Sequence, residues 1–197
     1  MIFDWHEAVG ILSGVIQIAA IVPYIRDMLR GTTRPNIVSW GIWTFEVLIT
    51  LSAQLSAGAS WSLILLISAT IINITVVMLG IFGWGYKKFG WIEGICLTLS
   101  VGALVLWHIT AMPLVAIMFA IAADGIAYIP TIVKAYRDPR SETASFWFLL
   151  GIVGLLSAVS SINLNVANLA FPLYYMLINF VSWGIVIIGR KTKKFSK

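Results

Sequence analysis

Charge is what this chain has least of. Asp, Glu, Lys and Arg make up 11% of its 197 residues, against about 25% in an ordinary soluble domain. That scarcity excludes a water-soluble globule. Cysteine is nearly absent too: Cys96 stands alone in an apolar run, which rules out an internal disulfide and reads as a small packing residue. The two histidines, His6 and His108, belong to no metal-ligand spacing, and no glycine-rich loop is built to cradle a phosphate. No enzyme signature remains, so neither catalysis nor a cofactor or metal is expected. The first seven residues carry two acids and no Lys or Arg, unlike a cleavable leader.

What fills the space is apolar. Hydrophobic residues reach 60% and mean hydropathy is +0.96. They come in successive continuous runs of about 20 residues, the length that spans a bilayer as a helix. Unpaired backbone groups are excluded from lipid, which leaves a helix bundle or a closed barrel. Barrel strands would alternate over about ten residues, and these runs do not. Seven spans follow: Ala8–Leu29, Ile37–Ser56, Trp61–Phe82, Trp91–Ile109, Met112–Ala135, Ala144–Ser161 and Val166–Ile188. The expected class is therefore an all-α integral membrane protein with seven transmembrane helices.

All 13 basic residues fall in or beside the first, third and fifth loops and the tail, and none in the second, fourth or sixth. The positive-inside rule then predicts an outside N-terminus and a cytoplasmic C-terminus in a cytoplasmic (inner) membrane. The net charge of +5 is thus read as a topology signal, and no nucleic-acid partner is expected. Trp5, Trp61 and Trp107 would lie near the outer boundary and Trp84, Trp91 and Trp183 near the inner one, as an aromatic belt.

The chain also repeats itself. At an offset of 107 residues Pro23 maps to Pro130, Arg30 to Arg137 and Trp40 to Trp147, without gaps. Gln17 falls opposite Asp124, and Asn73 lies opposite Asn179 at a spacing of 106. Each copy places a proline inside an apolar helix, then a short basic loop, then a second apolar helix, which indicates an internal duplication. Residues 1–90 form the first three-helix repeat, 91–111 a linker helix, and 112–197 the second repeat with its basic tail. The extra crossing restores orientation, so the repeats are parallel in a 3+1+3 arrangement.

Parallel three-helix repeats around a linker helix, with a kinking proline before a basic loop, resemble the SWEET and PQ-loop carriers. The resemblance covers nearly the whole chain. The usual Pro-Gln pair reads Pro23-Tyr24 and Pro130-Thr131 here. Thr33-Arg34 resembles the loop of the half-size bacterial members, and Asn73 before Lys87-Lys88 fits their substrate-facing asparagine. Their deep second-helix tryptophan would fall near Leu51 or Ser52, where none stands; Trp40, Trp43 and Trp147 sit nearer the cytoplasmic end and read as an inner gate. The resemblance implies transport of a small polar solute, sugar or amino acid, by alternating access. A sorting or peptide-binding receptor of the same fold and a nicotinamide-riboside-type facilitator are the alternatives. The bilayer and the solute are the expected partners, and the number of protomers stays open.

Individual residues refine the expectation. Pro23 and Pro130 each remove a backbone donor and so can act as hinges. Asn73 and Asn179 offer an amide donor and a carbonyl acceptor within apolar helices, suited to a polar solute. Glu46 stands near the centre of the second span, where a charge is costly, and its mate at the 107-residue offset is Val153. A carboxyl there could load and release a proton as access alternates. Asp124, mid-way along the fifth span, could bind a cationic group of a solute or join the proton relay. Gln17 is its counterpart in the first copy.

Overall fold

The apolar runs fold as helices. A computed structural model describes residues 5–56, 63–86, 89–109, 113–161 and 166–192, and all their regular elements are helical apart from one isolated bridge between Asn36 and Tyr86. In order these are α1 (Trp5–Leu29), α2 (Ile37–Ser56), α3 (Leu63–Leu79), α4 (Trp91–Ile109), α5 (Pro113–Arg137), α6 (Ala144–Val159) and α7 (Val166–Thr192). A π-helical turn, Gly80–Trp84, continues α3, and a 3-10 turn, Pro139–Ser141, precedes α6. Trp61, Lys87, Lys88 and Met112 lie outside the described residues, as do the side chains of Leu51, Ser52, Trp107 and His108.

Helix boundaries follow local chemistry. After α1, Gly31 adopts φ 74°, a left-handed conformation that suits glycine, and returns its N–H to the Met28 carbonyl at 2.8 Å. Asn36 then caps α2: its Oδ1 accepts from the Val38 and Ser39 amides at 3.1 and 3.3 Å. Pro23 and Pro130 sit inside α1 and α5, and both helices run on past them.

Two helices are long and apolar enough to cross a membrane among the described residues: α1, and α7 from Leu169 to Thr192. Shorter apolar stretches occupy Ile37–Leu48, Ala69–Trp84, Trp91–Gly102 and Ala144–Val159. Large apolar side chains are exposed at helical spacing, as at Ile11, Val15, Ile18 and Val22 on α1 and Leu173, Leu177 and Val181 on α7. Polar ones, such as Ser13, Ser100, Asp124 and Asn179, are buried instead. Hydroxyls on these helices turn back onto their own backbone: Thr44 to the Trp40 carbonyl, Thr98 to Gly94 and Ser182 to Ile178. That satisfies them without water.

The chain divides into two compact units. One joins Met1–Asp27 to Ala135–Lys197, and the other is Met28–Lys134. The first unit therefore contains α1, α6 and α7, and the second α2, α3, α4 and α5. Each unit takes the leading helix of one sequence repeat and the second and third helices of the other.

In the first unit α6 and α7 pack closely because α6 presents glycine. A Cβ on Gly154 would stand 2.5 Å from the Met176 backbone nitrogen. Ser13 of α1 bonds the Val153 carbonyl of α6 at 3.3 Å and meets the Ser157 hydroxyl at 3.0 Å. In the second unit α2 packs on α3 and α4. There α5 joins α4 through Ser100, which donates to the Ala123 carbonyl at 3.1 Å, and α2 through Thr131, which donates to Ser39 at 2.9 Å.

Candidate functional site

Each unit holds a seam between two helices, α2/α5 in the second and α1/α6 in the first. Along the α2/α5 seam, partners climb one helix as they descend the other. Lys134 donates to the Arg34 carbonyl, Thr131 meets Ser39, and the Tyr128 ring lies 4.6 Å from that of Trp43. One further turn on, Glu46 and Asp124 are near enough to act on each other electrostatically. The first unit has an α1/α6 seam in which the Tyr24–Phe146 contact falls at the 107-residue offset from Thr131–Ser39. There Asp27 meets Thr143 at 3.0 Å, and the Tyr24 ring lies 4.5 Å from Phe146 and 6.4 Å from Trp147. The loop-end pairs differ in register: Lys134–Arg34 would map to Asp27–Ser141, whereas Asp27 meets Thr143.

The seams carry different chemistry. In the second unit, Trp40, Trp43 and Glu46 follow one another at three-residue spacing on α2, while Asp124, Tyr128 and Thr131 line the facing side of α5. Trp40 and Trp43 meet edge to face at 5.4 Å. Asp124 and Tyr128 are buried, whereas Trp43 and Glu46 are half-buried. The mates of the two acids in the first unit are Gln17 and Val153, so a carboxyl pair exists on one seam and has no copy on the other.

The ends of the seams are fastened at the loops. Glu142, 1% exposed, accepts from Trp147 Nε1 at 3.1 Å and from Tyr24 Oη at the long distance of 3.5 Å. Arg190, near the end of α7, donates to the Pro139 carbonyl at 3.1 Å and to that of Glu142. In the second unit the Tyr86 amide donates to the Pro35 carbonyl at 2.8 Å, and Lys134, buried, lies 6.0 Å from the Tyr86 ring. In both units the segment just after the helix-borne proline is tied to the start of a second-repeat-position helix, and the end of the third helix is tied to the same loop.

The residues singled out in the sequence divide between the units. The second holds Trp40, Trp43, Glu46, Asn73, Asp124 and Pro130; the first holds Gln17, Pro23, Trp147 and Asn179. Glu46, Asp124 and Trp43 are brought together. Asn179 is fully buried and gives its Nδ2 to the Tyr175 carbonyl at 2.8 Å, while Asn73 and Gln17 are half-buried. Tyr24, Tyr128, Lys134, Glu142 and Thr143 were not singled out. Tyr128 follows Asp124 by one turn and Tyr24 follows the repeated Pro23 directly, which could have flagged both. Glu142 and Thr143 looked like ordinary loop residues, and only tertiary contact gives them a role.

No group of three or more His, Cys, Asp or Glu placed to hold a metal ion occurs among the described residues. No protein-family model, curated protein or solved structure matches the chain.

Proposed function

We propose that the chain is a seven-span carrier of the SWEET or PQ-loop type, with its N-terminus outside and its tail in the cytoplasm. It would move a small polar solute by alternating access, with proton coupling through Glu46 and Asp124. The observation that carries this reading is the carboxyl pair on the α2/α5 seam, set deep within helices whose outward faces are apolar. An acid in such a place is costly to maintain and marks a pathway for ions or solute. The inside-out distribution of side chains supports membrane placement, because exposed apolar stripes of this extent suit lipid. The two seams, each tied to a helix-borne proline, support movement of both leading helices. Transport then requires only that the solute bind the outward and inward states without trapping either.

The test is internal pH in proteoliposomes holding the purified protein, with pooled amino acids or pooled sugars added outside in turn. Solute-driven acidification that disappears in Glu46→Gln supports the coupled carrier and names the solute class. If neither pool moves protons, Glu46 loses the coupling role. If labelled solutes also fail to equilibrate, the carrier reading falls.

A further inference from the structure

One face of α7 changes character along its length. Leu173, Leu177, Val181 and Ile188 are exposed on a single stripe, one helical turn or two apart. Gly184 puts a dip in that stripe, since a Cβ there would meet nothing within 4 Å. The stripe ends on Lys191, which is exposed too. Val181 and Lys191 stand about 15 Å apart along the helix, half of the about 30 Å hydrocarbon core of a bilayer.

Tertiary contacts assemble the charged end. Arg190 donates to the carbonyls of Pro139 and Glu142, which fastens the 3-10 turn Pro139–Ser141 against α7. Gly189 permits that approach: a Cβ on it would stand 2.5 Å from Pro139 Cγ. Arg140, exposed, rides on the turn and is thereby held at the same end of α7 as Lys191. The acids nearby are Asp27, Asp138 and Glu142. Asp27 pairs with Arg26 at 2.9 Å, and the Glu142 carboxylate is buried against Tyr24 and Trp147. Asp138 is exposed, as are Arg137, Arg140 and Lys191, so positive charge is in excess. The sequence after Thr192 adds Lys193, Lys194 and Lys197 and no acid.

We infer that the end of α7 binds an anionic phospholipid, its phosphate at Lys191 and Arg140 and one acyl chain along Val181 and Ile188. This rests on the membrane placement proposed above and adds a particular class of lipid to it. Basic clusters directly following an apolar helix attract anionic headgroups, and Arg190 acts here as a positioning residue for the turn. A free phosphate would meet the charge and leave the apolar stripe unused. A zwitterionic lipid would use the stripe but bring its own cation towards the bases.

The test is equilibrium binding of phosphatidylglycerol, labelled in one acyl chain, to the full-length protein in detergent micelles. The competitors are unlabelled phosphatidylglycerol, phosphatidylcholine and glycerol 3-phosphate. Phosphatidylglycerol should displace the label at a concentration at least tenfold below phosphatidylcholine, and glycerol 3-phosphate should not displace it. Arg140→Gln combined with Lys191→Gln should weaken binding tenfold or more. Arg30→Gln combined with Arg34→Gln, at bases of the other unit, should leave it unchanged. Arg140→Lys with Lys191→Arg keeps both charges and should bind as the parent does, which covers a failure of the amide variant to fold. Absence of saturable binding overturns the inference, as does equal displacement by the two lipids or displacement by glycerol 3-phosphate. Equal weakening in both pairs of amide variants overturns it as well. Flotation with phosphatidylcholine vesicles tests membrane placement separately. Flotation without a preference for phosphatidylglycerol leaves that placement standing and defeats the inference; failure to float defeats both.

Discussion

Thr143 donates to the Asp27 carboxylate at 3.0 Å, joining residues 116 apart in the chain. Asp27 lies one turn beyond Pro23, and Thr143 is the residue before α6. Next to it, Glu142 gathers Tyr24 and Trp147 onto a single oxygen. Glu142→Ala should destabilise the protein by several kcal/mol, because each buried donor left without an acceptor costs about 1–3 kcal/mol. Glu142→Gln, which keeps one acceptor, should cost less than half as much. Thermal unfolding of the purified protein in detergent reads both. Equal losses for the two variants would show that the carboxamide cannot replace the carboxylate as the shared acceptor.

A second prediction concerns the α6/α7 contact. Gly154 leaves no room for a side chain, since a Cβ there would stand 2.5 Å from the backbone of Met176. Backbone cannot rotate away as a flexible side chain can. Gly154→Ala should therefore push the helices apart and cost about 1–3 kcal/mol, the usual range for overpacking. Gly102, with nothing near its Cβ position, is the control: Gly102→Ala should be neutral or slightly stabilising, as expected for alanine in a helix. A melting temperature lowered equally by both would refute the close approach.

The contrast between these positions shows what could be read without coordinates. Helix placement was legible because continuous apolar runs and short loops agree, and the ends of α2 and α4 fall on the expected residues. The expectation of a duplication rests on Pro23, Arg30 and Trp40 recurring at a fixed offset. Which helices would pair was not. Apolar periodicity marks the faces of α1 and α2, but it does not say that α1 meets α6 or that α2 meets α5. Glu46 and Asp124 each stood out as acids in apolar helices. Their common level on one seam depends on the Trp43–Tyr128 contact between residues 85 positions apart in the sequence.

The two asparagines should separate in a third experiment. Asn179 is fully buried and spends one amide donor on the Tyr175 carbonyl, whereas Asn73 is half-buried. Asn179→Ala is expected to cost about 1–2 kcal/mol from lost hydrogen bonding and packing. Asn73→Ala should cost under about 0.5 kcal/mol, the range of substitutions away from buried polar networks. Melting temperatures of the two variants decide it. Matching losses would mean that Asn73 is as firmly built into its unit as Asn179.

The last prediction separates stability from rate at the prolines. Pro23 and Pro130 leave the carbonyls four residues earlier, at Ala19 and Ile126, without their helical donor. Alanine restores that donor, so Pro23→Ala and Pro130→Ala should each raise the melting temperature or leave it unchanged. In the proposed carrier the same change should slow movement. The segment after each proline is tied to the start of another helix, through Tyr24 and Glu142 in one unit and Thr131 and Ser39 in the other, so a stiffer leading helix transmits less swing to the mouth. A tenfold fall in solute flux, equivalent to about 1.4 kcal/mol in the barrier, with equilibrium solute binding unchanged is the expected outcome. Flux is measured in proteoliposomes and binding in nanodiscs. Full flux in both variants would make the prolines packing kinks, and a parallel loss of binding and flux would place them in the solute site instead of the hinge.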